Sequence, residues 1–111
     1  MVDSGRYARL LPLAILHSVE FEWDPDKAEL NVKRHGVSFH EAATVFADRL
    51  SITVPDRDHS VDEQRYISVG LSRQGRRLIV AHTEREDRFR IISARELTRE
   101  ERKAYEEGDF I

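Results

Sequence analysis

Apolar and acidic residues alternate from Val19 to Trp23, reading Val-Glu-Phe-Glu-Trp, the period-two pattern of a strand with one buried face. Asp24-Pro25 ends that strand and opens a helix: the Asp side chain accepts from free first-turn amides, and Pro fits the first helical position, where no donor is needed. Gly36 closes the helix behind Lys33-Arg34-His35, whose charge complements the carbonyl end of the helix dipole. Ser38 and Glu41 have capping-box spacing, with Val37 placed to staple onto Ala42, so a second helix starts at once and buries Phe39, Ala42, Ala43 and Phe46. Four strands follow, Leu50 to Val54, Arg65 to Leu71, Arg77 to Thr83 and Arg88 to Ala94. Turn residues Arg73-Gln74-Gly75 and Glu86-Asp87 join the last three as hairpins, and the acidic stretch Pro55 to Gln64 is an exposed loop. Thr98 and Glu101 form another capping box, opening a last helix that Gly108 ends. The predicted order is β-α-α-β-β-β-β-α, an α+β fold with helices packed on a mostly antiparallel sheet of four to five strands.

The 111 residues suit one compact domain. Leu10 to Leu16 is an apolar run preceded by Arg6 and Arg9, but it is short, contains Pro12 and leads into His17, Ser18 and Glu20, which fits a signal peptide poorly. The predicted elements all lie within 19–111. No stretch approaches the ~20 apolar residues of a membrane span.

Charge changes the picture more than composition does. A chain that is 35% charged and 40% apolar is globular with a modest core, and its lack of Cys removes disulfides and thiolate metal sites, in keeping with a cytoplasmic protein. The formal net charge is only −3, yet Glu20 to Glu63 holds eleven acids against five bases, whereas Arg73 to Arg99 holds eight Arg against four acids. A polyanion such as nucleic acid is drawn to the second stretch; surface ion pairing is the competing reading for each Arg taken singly.

Metal chemistry finds no ligand set. His40-Glu41 lacks a second His one helical turn on, and Asp56, Asp58 and Asp62 lack the Gly and closing Glu of a calcium loop. No Gly-rich phosphate loop is present either. Metal-free RNA cleavage asks only for a base, an acid and cations around the phosphorus, and His, Glu, Lys and Arg of that kind lie between Lys33 and Arg95. By strand parity Arg88 and Arg90 share a face with Ile92, and Arg95 falls in phase with Phe89 and Ile91. Two such arginines clamp a phosphate or pair with Glu84, Glu86 or a helix acid. His82, ending Leu-Ile-Val-Ala-His, is either a buried structural His or a general acid. Glu63 and Arg65 stand at a loop-to-strand junction as a site or a salt bridge; His59 reads as a surface residue and Trp23 as core.

Several segments, taken in order, resemble the BrnT family. They are Phe-Glu-Trp-Asp-Pro-Asp-Lys-Ala at 21–28, Lys-Arg-His-Gly-Val-Ser-Phe at 33–39, Glu-Ala-Ala-Thr-Val-Phe at 41–46, Asp-Glu-Gln-Arg-Tyr-Ile-Ser-Val-Gly at 62–70, His-Thr-Glu-Arg at 82–85 and Arg-Ile-Ile-Ser-Ala-Arg at 90–95. The resemblance implies a RelE-like fold and a type II toxin that inhibits translation as a metal-independent endoribonuclease, with no cofactor. It also implies a BrnA-type antitoxin that neutralises the toxin, in a heterotetramer that touches DNA only through the antitoxin. Carried over by motif, Glu63, Arg65, His82 and Arg90 are the catalytic candidates, and Lys33, His35, Arg88 and Arg95 the RNA-binding ones. The resemblance begins near Val19, which implies that 19–111 is the domain and that 1–18 is either an N-terminal extension or the product of a start codon placed upstream of a true start at Val19. The rival reading is a non-catalytic module that acts as co-repressor with a DNA-binding partner.

Overall fold

The alternation at Val19–Trp23 becomes a short strand, β1 (Glu20–Glu22), in the computed structural model, which describes residues 19–59, 63–85 and 87–109. The expectations for residues 1–18, Ser60 to Asp62 and Glu86 lie outside the described residues. Helix α1 (Pro25–His35) starts as its sequence dictates: Asp24 accepts from the Asp26 amide, Pro25 opens the first turn, and Gly36 closes the helix at φ 69°. That left-handed conformation is one a side chain disfavours. Helix α2 (Phe39–Ala43) tightens into a 3-10 turn at Thr44–Ala47, and then come strand β2 (Ile52–Pro55), a 3-10 turn at Arg57–His59, and strands β3 (Arg65–Leu71), β4 (Arg77–Arg85) and β5 (Arg88–Glu96). Helix α3 (Arg99–Glu106) ends the fold.

The five strands form one mixed sheet in the order β1-β5-β4-β3-β2, antiparallel except that β1 runs parallel to β5. One face is the core. Val37, Phe39, Ala42, Val45 and Phe46 from the helical layer meet Leu78, Val80, Phe89, Ile91 and Ala94 from the sheet, with Phe21 and Trp23 packed against them. Phe21, Phe46 and Phe89 meet at ring-centroid distances of 5.2–5.8 Å, two of the three pairs edge-on, which suits aromatic quadrupoles. Trp23 is core, as its alternation implies. Gly70 is required by close approach: a Cβ there would lie 2.9 Å from the Ser51 Cβ and 3.1 Å from a Val45 methyl.

Two capping boxes were expected, and one forms in full. Thr98 and Glu101 exchange both hydrogen bonds at the start of α3. At α2, Ser38 accepts from the Glu41 amide, but the Glu41 carboxylate turns away to accept from Arg76 and from the Ser72 hydroxyl. A guanidinium with three acceptors to bridge, on Glu41, Glu96 and the Gly36 carbonyl, outcompetes a single backbone amide. The Arg76 charge holds the Glu41 carboxyl below its usual range.

Past Glu22, β1 no longer covers the outer edge of β5, and a side chain replaces it. Asn31 of α1 donates to the Ala94 carbonyl at 2.8 Å and accepts from the Ala94 amide at 3.1 Å, as a neighbouring strand would, and also donates to the Val37 carbonyl. The edge is thereby satisfied and closed to further pairing.

The opposite face of the sheet is covered in part by α3. Arg95 makes a two-pronged pair with Glu101, Arg77 pairs with Glu106, and the Tyr105 hydroxyl donates to the Leu50 carbonyl. The Arg95 bonds pull the Glu101 carboxyl down to about 2. A carboxyl lowered on folding contributes stability that is complete above its ordinary value near 4.5 and disappears as pH falls through the folded value. Wild type and Glu101→Gln are therefore expected to differ most in melting temperature above pH 5 and to converge toward pH 2. A difference independent of pH over that window would show that the pair does not hold α3.

Candidate functional site

The uncovered part of the second face carries a polar row fixed by strand register. Arg65 pairs with Thr83, Thr83 with Arg90, and Arg90 with Glu22, so these four side chains, from β3, β4, β5 and β1, stand in line on one face. Two strand spacings separate the Arg65 and Arg90 backbones, about 10 Å, leaving room for a phosphate between their guanidiniums over the Thr83 hydroxyl. A second row, Arg85, Arg88 and Glu20, lies next to it.

Loop and helix residues wall this row into a cleft. One cavity of about 430 Å³ is lined by Lys27, Asp58, His59, Glu63, Arg65, Thr83, Arg90 and Ile92. It adjoins a smaller one, of about 230 Å³, that shares Glu63, Thr83 and Arg90 and adds Glu22, Arg85 and Arg88. On its other side it shares His59 and Arg65 with a cavity of about 340 Å³ that reaches Arg95 and His35. The three form a groove across the open face of the sheet.

Acids and bases segregated in sequence meet here. Arg88 pairs with Glu22 at 3.1 Å and Glu20 at 3.5 Å, Arg90 with Glu22 at 3.5 Å, and Arg85 with Glu63. The partner acids expected for Arg88 and Arg90 were Glu84, Glu86 or a helix acid; the parallel strand β1 supplies them instead. The ion-pair reading of these arginines is thus met by β1, and both arginines also line the cleft. These pairs are solvent-facing and individually weak.

The structure brings Glu63, Arg65 and Arg90 together, with Arg88 beside them. His35 and Arg95 stand at the far end of the groove, where Arg95 pairs with Glu101 of α3. Arg95 reaches this face because β5 carries a bulge: Ser93 faces Ala81 and Ile91 faces His82, leaving Ile92 as an extra residue. Each later side chain is thereby turned over, so Arg95 leaves the phase of Phe89 and Ile91 and joins the face of Arg90. Lys33 is exposed on α1 and lines none of the three cavities; Lys27, earlier on the same helix, lines the cleft instead.

His82 lies on the other face. It is fully buried, between the rings of Phe89 (5.5 Å), Phe46 (4.8 Å) and Tyr66 (6.0 Å), with Nε2 2.7 Å from the Ser68 hydroxyl and Nδ1 3.6 Å from Glu84. Ser68 in turn bonds to Thr53 at 2.7 Å. This chain ties β2, β3 and β4 together behind the cleft, the arrangement of a buried structural His.

Sequence reading passed over Lys27 and Thr83. His59 is exposed, as expected of a surface residue, and its Nδ1 lies 3.1 Å from both Asp56 oxygens, at the junction of two cavities. The spacing Asp56-x-x-His59 on a short turn was the signal available. Among the described residues, no three His, Asp or Glu side chains converge as a metal site, and no helix is long and apolar enough to cross a membrane.

A family model described as the ribonuclease toxin BrnT of type II toxin–antitoxin systems matches residues 23–101. Among solved structures, the chain is similar to the ribonuclease toxin BrnT of Brucella abortus, at 17% identity and a TM-score of 0.57, over 73% of this chain and 99% of that one. At that identity the likeness is one of fold. No curated protein sequence matches the chain.

Proposed function

The chain belongs to the BrnT family of ribonuclease toxins of type II toxin–antitoxin systems, and from that premise we propose that it cuts RNA by metal-independent acid–base chemistry in the cleft over Arg65, Thr83 and Arg90. The observation that carries this reading is that cross-strand row: two cations aimed at one place on a rigid sheet, flanked by Glu63 and His59. Phosphate binds between Arg65 and Arg90, with Lys27 adding charge from α1. Glu63 takes the proton from a ribose 2′-hydroxyl; the 2′-oxygen attacks phosphorus, and the bond to the 5′-oxygen breaks. His59, its Nδ1 held by Asp56, delivers a proton from Nε2 to that leaving oxygen. The charge gathered on the equatorial oxygens is met by both guanidiniums. His82 supports the floor of the cleft from behind and does not touch substrate.

In the cell this activity inhibits translation, and a BrnA-type antitoxin neutralises it by covering the groove, in a heterotetramer whose contact with DNA runs through the antitoxin. The setting is cytoplasmic. The experiment is RNA cleavage by purified chain with and without EDTA, with analysis of product ends. Activity is expected to survive chelation and to leave 2′,3′-cyclic phosphates. Loss on chelation with recovery in magnesium or manganese would overturn the mechanism.

A further inference from the structure

The groove extends past the phosphate row into surroundings of a different chemistry. One row further along the strands, about 7 Å away, stand Ile67, Ala81 and Ser93, and beyond them Ile79 beside Arg95. Ile67, Ala81 and Ile79 form an apolar floor under the cavity of about 340 Å³, with His35 and Arg95 in its walls. That volume sits at the lower end of the ~300–1,000 Å³ typical of small-molecule sites, enough for one flat heterocycle with its sugar. Ala81 and Ser93 are the small side chains that leave this space open.

Arg95 differs from Arg90, whose pair with Glu22 spans 3.5 Å, in how it is held. Glu101 grips its guanidinium by two hydrogen bonds, at 2.7 and 3.0 Å, and the Glu96 carbonyl accepts a third. A guanidinium so neutralised and fixed is a poor phosphate clamp but a good stacking plane, the surface on which unstacked RNA bases are received. The RNA-binding role expected of Arg95 thus becomes contact with a base.

We infer that this cavity is a nucleobase subsite, which takes one unstacked base of the nucleotide next to the scissile phosphate while the Arg65–Arg90 row holds the phosphate itself. The inference rests on the ribonuclease reading and deepens it: the substrate is single-stranded RNA, and cleavage is selective for the base at one flanking position. Duplex RNA is excluded, because its bases remain stacked and cannot enter a pocket in a sheet face.

Two variants fill the cavity from different strands, Ala81→Leu on β4 and Ser93→Leu on β5, and leave Arg65, Thr83, Arg90, Glu63 and His59 in place. Full-length wild type and both variants are given RNA oligonucleotides that differ only in the bases flanking one cleavable position, with an abasic nucleotide as the empty control. Wild type is expected to discriminate between best and worst base by roughly tenfold or more and to cut the abasic substrate as slowly as the worst base. The variants that keep the wild-type melting transition cut all of these at the slow, abasic rate. A non-cleavable 2′-deoxy dinucleotide, followed by backbone amide shifts, gives a second readout: Ile67, Ala81 and Ser93 respond to the dinucleotide and not to its abasic analogue. Indifference of wild type to the flanking base, or folded variants that keep the preference, would overturn the subsite. If amides over the floor respond to the base while no RNA is cut, the subsite stands and the ribonuclease chemistry fails.

Discussion

Arg90→Ala loses RNA cleavage by about 10²–10³-fold in kcat, the usual consequence of removing one preorganised donor from a developing charge, and with it the toxicity of the expressed chain. The physical reason is position. Arg90 is in the middle of the row, between Thr83 and Glu22, on a strand hydrogen-bonded on both sides, so its guanidinium is aimed by the sheet rather than by a loop. Its contribution to folding is small. The side chain is half exposed and its pair with Glu22 spans 3.5 Å, so the variant keeps a melting temperature close to wild type. The measurement is single-turnover cleavage alongside a thermal melt. Full activity in Arg90→Ala would move the site away from this row, and an unfolded variant would make Arg90 structural. Glu22→Gln is the companion: it removes the carboxylate that competes with phosphate, and tighter RNA binding is the expected result.

The second large effect is on stability and has no counterpart in the cleft. Asn31→Ala leaves the buried Ala94 amide and carbonyl and the Val37 carbonyl without their side-chain partner. Unsatisfied buried backbone groups cost ~1–3 kcal/mol each, and with partial relaxation the sum is about 3 kcal/mol, or roughly 12 °C in melting temperature. Denaturant unfolding measures it. A loss below about 1 kcal/mol would mean that water or a shifted helix takes over the edge. Hydrogen exchange is the finer readout, because the Ala94 amide is expected to lose protection before the centre of β4 does.

Most local features were legible because short-range physics sets them. Asp24-Pro25, Lys33-Arg34-His35-Gly36 and Thr98-x-x-Glu101 act on backbone groups within one or two turns, so the start of α1, its end and the start of α3 could be read from residue order. Alternation gave β1, β3 and the hairpin of β4 and β5. Of the catalytic candidates Glu63, Arg65, His82 and Arg90, the structure places Glu63, Arg65 and Arg90 in one cavity and His82 on the opposite face of the sheet.

What failed were inferences that needed a partner distant in sequence. Arg95 was assigned to the wrong face because parity counting assumes an unbroken ladder, and the extra residue Ile92 shows only once β5 is set against β4. Glu41 had ideal capping spacing, yet Arg76, 35 residues later, takes its carboxylate. His82 was left between two roles; its enclosure by Phe46, Tyr66 and Phe89 comes from three other elements. Lys27 and Thr83 fall within the matching segments 21–28 and 82–85 but carry no signal of their own, and they meet in the cleft through register and the docking of α1.

The sequence by itself determined the element order, the caps, the apolar faces and the segregation of acids before Glu63 from arginines after Arg73, since each depends on neighbours within a helical turn or a strand repeat. Tertiary structure decided that those two charged stretches face each other, through the parallel pairing of β1 with β5 that sets Glu20 against Arg88 and Glu22 against Arg90. It also decided that Arg65 and Arg90 flank Thr83. A strand carries its periodicity wherever it goes, but its register and its neighbours are settled by how the apolar faces of β1, β4 and β5 pack on one helical layer.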